Sequence, residues 1–96
     1  MGRNEILALL REYKNSCAEK YGILALGLFG SAARDETHDA SDVDVVVKMN
    51  KPDLFTMVHI KDELENILGT EVDLIHYRAA MNPYLKSRID KEACYV

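Results

Sequence analysis

The sequence of 96 residues has no tryptophan, two prolines and two cysteines, and none of its apolar runs is long enough to span a bilayer. Cys17 and Cys94 make neither a disulfide framework nor a CxxC pair, and no Cys/His spacing is typical of a zinc site. The first residues lack the apolar block of a signal peptide. These absences argue against disulfide-rich, zinc-binding and membrane-spanning classes, and they predict a cytoplasmic protein.

The composition predicts one folded domain over residues 1–96. Apolar residues make up 48% of the chain and charged residues 29%, which is typical of globular proteins. The formal net charge is −4, whereas proteins that grip a nucleic acid backbone usually present a basic face. Direct nucleic acid binding is therefore not expected.

The first half of the chain predicts one helix and two strands. Apolar residues recur at helical spacing over 4–20, with Asn4 as the expected N-cap and Gly22 as the stop. An apolar run over 23–29 predicts a strand buried on both faces, and a second β-branched run covers 43–49. The segment between these strands is small and polar, with room for a short helix at most.

The second half alternates in the same way. A helix is predicted over 53–69, a strand over 71–76, and a last helix from Pro83 with Asn82 as its N-cap. The last three residues could add a short edge strand. The apolar residues expected on the inner side of the middle helix are Leu54, Met57, Val58, Leu64, Ile67 and Leu68. The order α-β-β-α-β-α indicates an α/β or α+β domain, with helices packed on a small mixed sheet.

Three aspartates should meet at one end of this sheet. Asp42 and Asp44 open the second strand, where residues two apart point to the same face. Since the connection is short, the first two strands are expected to pair antiparallel, which puts Gly30 beside these aspartates. The middle helix can return the third strand parallel to the second, so Asp73 is expected at the same end.

Crowded carboxylates need a cation, and oxygen ligands without Cys or His favour Mg²⁺ or Mn²⁺. Two such ions can clamp a triphosphate during an in-line displacement. Gly30 allows close approach of a phosphate, Ser31 offers a hydroxyl, and Arg34 offers a planar fork of donors. The alternatives are solvated aspartates and, for Arg34, a surface salt bridge with a neighbouring acidic residue.

Gly30-Ser31, ten intervening residues and Asp42-x-Asp44 resemble the signature of the DNA-polymerase-β-like nucleotidyltransferase superfamily. The local form, with Ala32-Ala33-Arg34 after the glycine and serine, is similar to the minimal nucleotidyltransferase (MNT) branch. Its members often act as antitoxins that adenylylate a HEPN-domain ribonuclease toxin with ATP.

The resemblance implies a role for each motif residue. Asp42 and Asp44 would hold two metal ions, and Asp73 would be a third metal ligand that could also be the base for the incoming hydroxyl. Ser31 would bind the nucleotide phosphates. One departure is Asp35, which stands where the family usually has glycine. An inward-facing Asp35 would weaken nucleotide binding, whereas a solvent-facing one would have little effect.

The leading hypothesis is therefore an Mg²⁺-dependent nucleotidyltransferase that moves AMP from ATP onto a hydroxyl of a HEPN partner. The shortness of the chain favours an acceptor supplied by another protein, because larger relatives carry a second domain for their substrate. One alternative is transfer to a small hydroxylated molecule. The other is a non-catalytic module that neutralises a toxin by covering it.

Overall fold

The computed structural model describes residues 2–34 and 42–96. In chain order its elements are α1 (Arg3–Tyr21), β1 (Ile23–Phe29), β2 (Val43–Met49), α2 (Leu54–Leu68), β3 (Val72–His76), α3 (Pro83–Glu92) and β4 (Cys94–Tyr95). The four strands form one sheet in the order β3-β2-β1-β4. The predicted α/β class and the predicted order of elements are both confirmed.

The sheet is mixed, as the connection lengths predict. β1 pairs antiparallel with β2 and with β4, whereas β2 and β3 are parallel. The parallel register aligns Val43 with Val72 and Asp44 with Asp73, so the starts of β2 and β3 coincide. β3 is an edge strand of this sheet, and no second strand of residues 2–34 and 42–96 pairs with its outer side.

Two apolar layers cover the two faces of the sheet. On one face Leu10 of α1 and Leu64 of α2 pack with Val45 and Val47. On the other face Ile89 of α3 packs with Val46 of β2. Since strand side chains alternate, Asp44 belongs to the face that α3 covers.

The helix ends show where local sequence rules held. Gly22 and Gly69 end α1 and α2 in the left-handed conformation, and Asn82 caps α3 by accepting from the backbone N–H groups of residues 84 and 85. The prediction of Asn4 as an N-cap was wrong. The helix begins two residues earlier than an Asn4 cap would allow, because extended Gly2 is the N-cap and its carbonyl accepts from Ile6 N–H at 3.1 Å.

Two burial predictions were also wrong in part. The buried stripe of α2 is Ile60, Leu64 and Leu68. Three residues predicted on the inner side stay exposed, at 77% for Leu54, 51% for Val58 and 43% for Ile67. At helical spacing these three fall on the flanks of that stripe, so they do not face the sheet. β1 is not buried throughout, because Leu24 near its start is 63% exposed.

No helix in the described part of the chain is long and apolar enough to cross a membrane.

Candidate active site

The turn after β1 is anchored by two buried alanines. Arg34 N–H donates to the carbonyls of Gly30 and Ser31, at 3.3 and 3.2 Å. Ala32 and Ala33 are buried in the core layer under α1 and α2. Ser31 is left partly exposed and Arg34 exposed, so both polar side chains stand at the surface of an anchored turn.

Gly30 lies against the carboxylate of Asp44. Its φ is +74°, which non-glycine residues rarely adopt. A Cβ added at this position would overlap Asp44 Oδ2 and lie 3.2 Å from Asp44 Cγ. Glycine is therefore required here twice, once by the backbone conformation and once by the neighbouring carboxylate.

The three predicted aspartates meet at the shared start of β2 and β3. Asp42 immediately precedes β2, and Asp44 lies opposite Phe29 on one side and Asp73 on the other. Asp44 is half-buried, whereas Asp42 and Asp73 are exposed. The sheet thus surrounds one carboxylate and leaves the other two open to solvent.

This placement changes the protonation of Asp44. Burial raises the pKa of its carboxyl above the ordinary 3.8, and the negative charge of Asp73 raises it further. The positive charge of Arg88 opposes these effects, Asp42 adds to them, and Arg34 opposes them again. Ionised Asp44 is therefore electrostatically unfavourable in the folded protein unless a cation is near.

Within residues 2–34 and 42–96, no three Cys, His, Asp or Glu side chains are close enough together to form a metal-binding group as they stand. The donors that would hold a hard cation are nevertheless neighbours in the sheet, and the absence of a side chain at Gly30 leaves room for the Asp44 carboxylate. A cation there would need side-chain rotation at the two exposed aspartates, which packing does not restrict.

Two residues of α3 that the sequence did not single out stand beside this cluster. Glu92 Oε1 accepts from Arg34 Nη1 at 2.7 Å, and Arg88 lies one helical turn before Glu92. The alternative partners considered for Arg34, Asp35 and Glu36, lie outside the described residues. The available signal was the i, i+4 spacing of Arg88 and Glu92, which alone indicates only a helix-surface pair.

The two histidines that the structure describes lie away from the aspartates. His59 is exposed on α2 and His76 ends β3, while His38 lies outside the described residues. A groove of about 380 Å³ lies between α2 and β3, lined in part by Leu54, Met57 and Leu74. Leu74 packs with the α1 and α2 layer, so this groove opens on the face opposite the carboxylates and is no part of the aspartate site.

The comparisons with known proteins agree with this geometry. Residues 11–96 match the family model "Polymerase beta, Nucleotidyltransferase". A protein of Methanocaldococcus jannaschii named "Putative protein adenylyltransferase" is 37% identical over 94 residues, which cover 97% of this chain and 96% of the relative. "Protein adenylyltransferase MntA" of Thermococcus cleftensis is 31% identical over 93 residues, covering 96% and 93%.

Solved structures give the same fold. A "putative minimal nucleotidyltransferase" superposes with a TM-score of 0.81 at 30% identity, over 98% of this chain and 95% of that one. A structure described as a tri-AMPylated Shewanella oneidensis HEPN toxin in complex with MNT antitoxin superposes with a TM-score of 0.61 at 22% identity, over 97% and 66%. The second likeness is one of fold.

Proposed function

Since the chain belongs to the polymerase beta nucleotidyltransferase family and is a nucleotidyltransferase, we propose that it moves AMP from ATP onto a hydroxyl group of a partner protein. The observation that carries this proposal is the register of β2 and β3. It sets Asp44 beside Asp73, under a glycine that no other residue can replace without displacing the carboxylate.

The donor set suits Mg²⁺. Three carboxylates with no thiolate or imidazole among them are hard ligands, and Asp44 in particular is stabilised as an anion by a nearby cation. Asp42, Asp44 and Asp73 would hold one or two ions. When bound, Mg²⁺ would neutralise phosphate oxygens and stabilise the charge that develops on the attacking and leaving oxygens.

Side chains of this protein bind the phosphates and remove the hydroxyl proton. The acceptor hydroxyl oxygen forms a bond to the α-phosphorus of ATP, and the bond from that phosphorus to the bridging oxygen breaks, releasing pyrophosphate. Ser31 and Arg34, at the anchored turn, bind phosphate oxygens. Asp73 takes the hydroxyl proton, because it is exposed and lies on an edge strand that a second molecule can approach.

The acceptor we propose is a HEPN-domain toxin. Curated relatives of nearly the same length carry the name protein adenylyltransferase, and a structure of the same fold is described as an MNT antitoxin bound to an AMPylated HEPN toxin. Adenylylation adds a negative phosphodiester to a hydroxyl side chain. Near a ribonuclease site that charge would repel RNA phosphates and block cleavage.

The test is adenylylation of the HEPN partner with purified components. The chain, ATP and Mg²⁺ should add the mass of one or more adenylate groups to the partner in intact-mass spectrometry. Asp42→Asn combined with Asp44→Asn should add none.

Two results would redirect the proposal. A partner that stays unmodified while both wild-type and doubly substituted protein suppress its toxicity would favour a docking module. Label from ATP that appears on small hydroxylated molecules rather than on protein would favour a small-molecule acceptor.

A further inference from the structure

We infer that Arg88 is a second phosphate-binding arginine of the nucleotide site, beside Arg34, and that Glu92 positions both arginines there. The inference rests on the proposed function, which it deepens by assigning residues of α3 to the binding of the triphosphate. The carboxylate of Glu92 contacts two arginines from different elements, Arg34 and Arg88.

Glu92 joins α3 to the turn after β1. Its Oε1 accepts from Arg34 Nη1 at 2.7 Å, and its Oε2 lies 3.6 Å from Arg88 Nη2. Among the described residues Glu92 Oε2 is buried and makes no hydrogen bond. The contact with Arg88 is thus an ion pair that is longer than a hydrogen bond. It orients the guanidinium group and leaves its N–H donors available to another acceptor.

The packing of α3 places Arg88 and Glu92 on the face of the sheet that carries the aspartates. Ile89, next to Arg88, is fully buried against Val46, which lies two residues from Asp44 on the same face of β2. Arg34 lies on the turn whose Gly30 is against the Asp44 carboxylate, and Glu92 is paired with both Arg34 and Arg88. Both guanidinium groups therefore lie near the carboxylate site.

The ion pairs that Glu92 makes with these two arginines add little to fold stability. Both side chains are more than 40% exposed, at 42% for Arg34 and 47% for Arg88. Ion pairs this exposed contribute little to folding. A guanidinium fork, by contrast, matches the oxygens of a phosphate and binds two of them at once.

The two arginines suit the β- and γ-phosphates. Asp42 and Asp44 would hold the cations that neutralise the α-phosphate, and the β- and γ-phosphates would need further positive charge nearby. Those phosphates leave as pyrophosphate and carry the larger share of the negative charge. Arg88 on α3 and Arg34 on the turn lie near the carboxylates, so they can supply positive charge to these outer phosphates.

The experiment compares Arg88→Ala with Lys91→Ala, which removes the same charge from an exposed position on the same helix. Calorimetric titration with ATP and with pyrophosphate, both with excess Mg²⁺, should give a Kd about 10- to 100-fold weaker for Arg88→Ala. Lys91→Ala should stay within about twofold of wild type. Arg88→Lys should lie between these, because it keeps the charge and loses the fork.

Glu92 is tested as a positioning residue. Glu92→Ala should raise KM for ATP more than it lowers kcat, whereas Glu92→Gln should restore most of the affinity by still accepting from Arg34. An equal loss of affinity for ATP in Glu92→Ala and Glu92→Gln would show that the oxygen that accepts from Arg34 does not determine ATP binding. Thermal melts identify any variant that is unfolded. If Arg88→Ala is unfolded, the Kd of Arg88→Lys tests the role of Arg88 in its place.

The outcomes separate this inference from the proposed function. Wild-type protein that fails to bind ATP with Mg²⁺ would refute both. Wild-type binding with an unchanged Kd in Arg88→Ala would overturn the role of Arg88 alone. Weakened binding of ATP with undiminished binding of pyrophosphate would overturn the assignment to the outer phosphates, as would wild-type protein that does not bind pyrophosphate.

Discussion

Asp44→Asn should abolish AMP transfer and at the same time stabilise the metal-free protein at neutral pH. The substituted side chain would keep nearly the same volume beside Gly30 and remove the charge that faces Asp73. Neighbouring strands lie about 4.8 Å apart, and two unit charges about 5 Å apart repel by about 3 kcal/mol at an effective dielectric of about 20. At a dielectric of about 80 the repulsion is about 0.8 kcal/mol.

The lower figure applies here, because Asp73 is exposed and water screens it. We expect a gain of about 1 kcal/mol in the free energy of unfolding, which raises Tm by about 4–8 °C in a domain of this size. The sign depends on pH. Because burial raises the pKa of Asp44 in the folded state, its stabilising proton is fully bound below 3.8 and is lost as the pH rises through the raised value.

The assay is a series of thermal melts in chelator from acidic to neutral pH. The advantage of Asp44→Asn over wild type should be near zero at the acidic end and reach its full size above the raised pKa. Asp62→Asn, on the exposed side of α2, removes the same charge elsewhere and should show no such pH-dependent gain. A less stable Asp44→Asn protein at neutral pH, or a gain of the same size at both ends of the series, would refute the electrostatic argument.

Four further predictions test the same site. ATP should stabilise wild-type protein only with Mg²⁺ or Mn²⁺, by about 2.7 kcal/mol at roughly a hundredfold excess over Kd; an equal thermal shift in excess chelator would contradict the metal role. Ser31→Ala should weaken ATP use by about 1.5–3 kcal/mol for each hydrogen bond lost to a charged phosphate, measured as a rise in KM; an unchanged KM would remove Ser31 from the site. Gly30→Ala should lower Tm and transfer activity together, since φ is +74° and the new Cβ would overlap Asp44 Oδ2; a fully active variant would show that the close approach is dispensable. Asp35→Gly should leave the transfer rate equal or higher, and a large loss would mean that the acidic loop has a use of its own.

The sequence predicted the directions of the three main strands and the shared start of β2 and β3, because simple geometry determines both. The short connection between β1 and β2 favoured antiparallel pairing, and the length of α2 favoured a parallel return. With period-two alternation, these two rules place Asp44 between β1 and Asp73, as the structure has it. The convergence of the aspartates was thus predictable without any side-chain detail.

The contribution of α3 was not predictable in the same way. Periodicity placed Leu85 and Ile89 inward but could not give the direction in which the helix crosses the sheet. That direction decides whether Arg88 and Glu92 lie over the carboxylates or over the far end of β2. Tertiary packing also explains the error on α2, where Leu54 and Val58 fit a helical stripe but lie beside the one that is buried.

Unequal exposure supports different roles for two adjacent carboxylates. Asp44 is flanked by strands on both sides and half-buried, so its oxygens are restricted and suited to a fixed cation. Asp73 lies on the edge strand and is exposed, so a hydroxyl carried by another protein can reach it. If both were equally buried, the acceptor would have to be small enough to enter the site. The exposure of Asp73 on an edge strand therefore fits a macromolecular acceptor, and it predicts that Asp73→Asn should impair transfer more than binding of ATP with Mg²⁺. Equal losses of transfer and binding would instead make Asp73 chiefly a metal ligand.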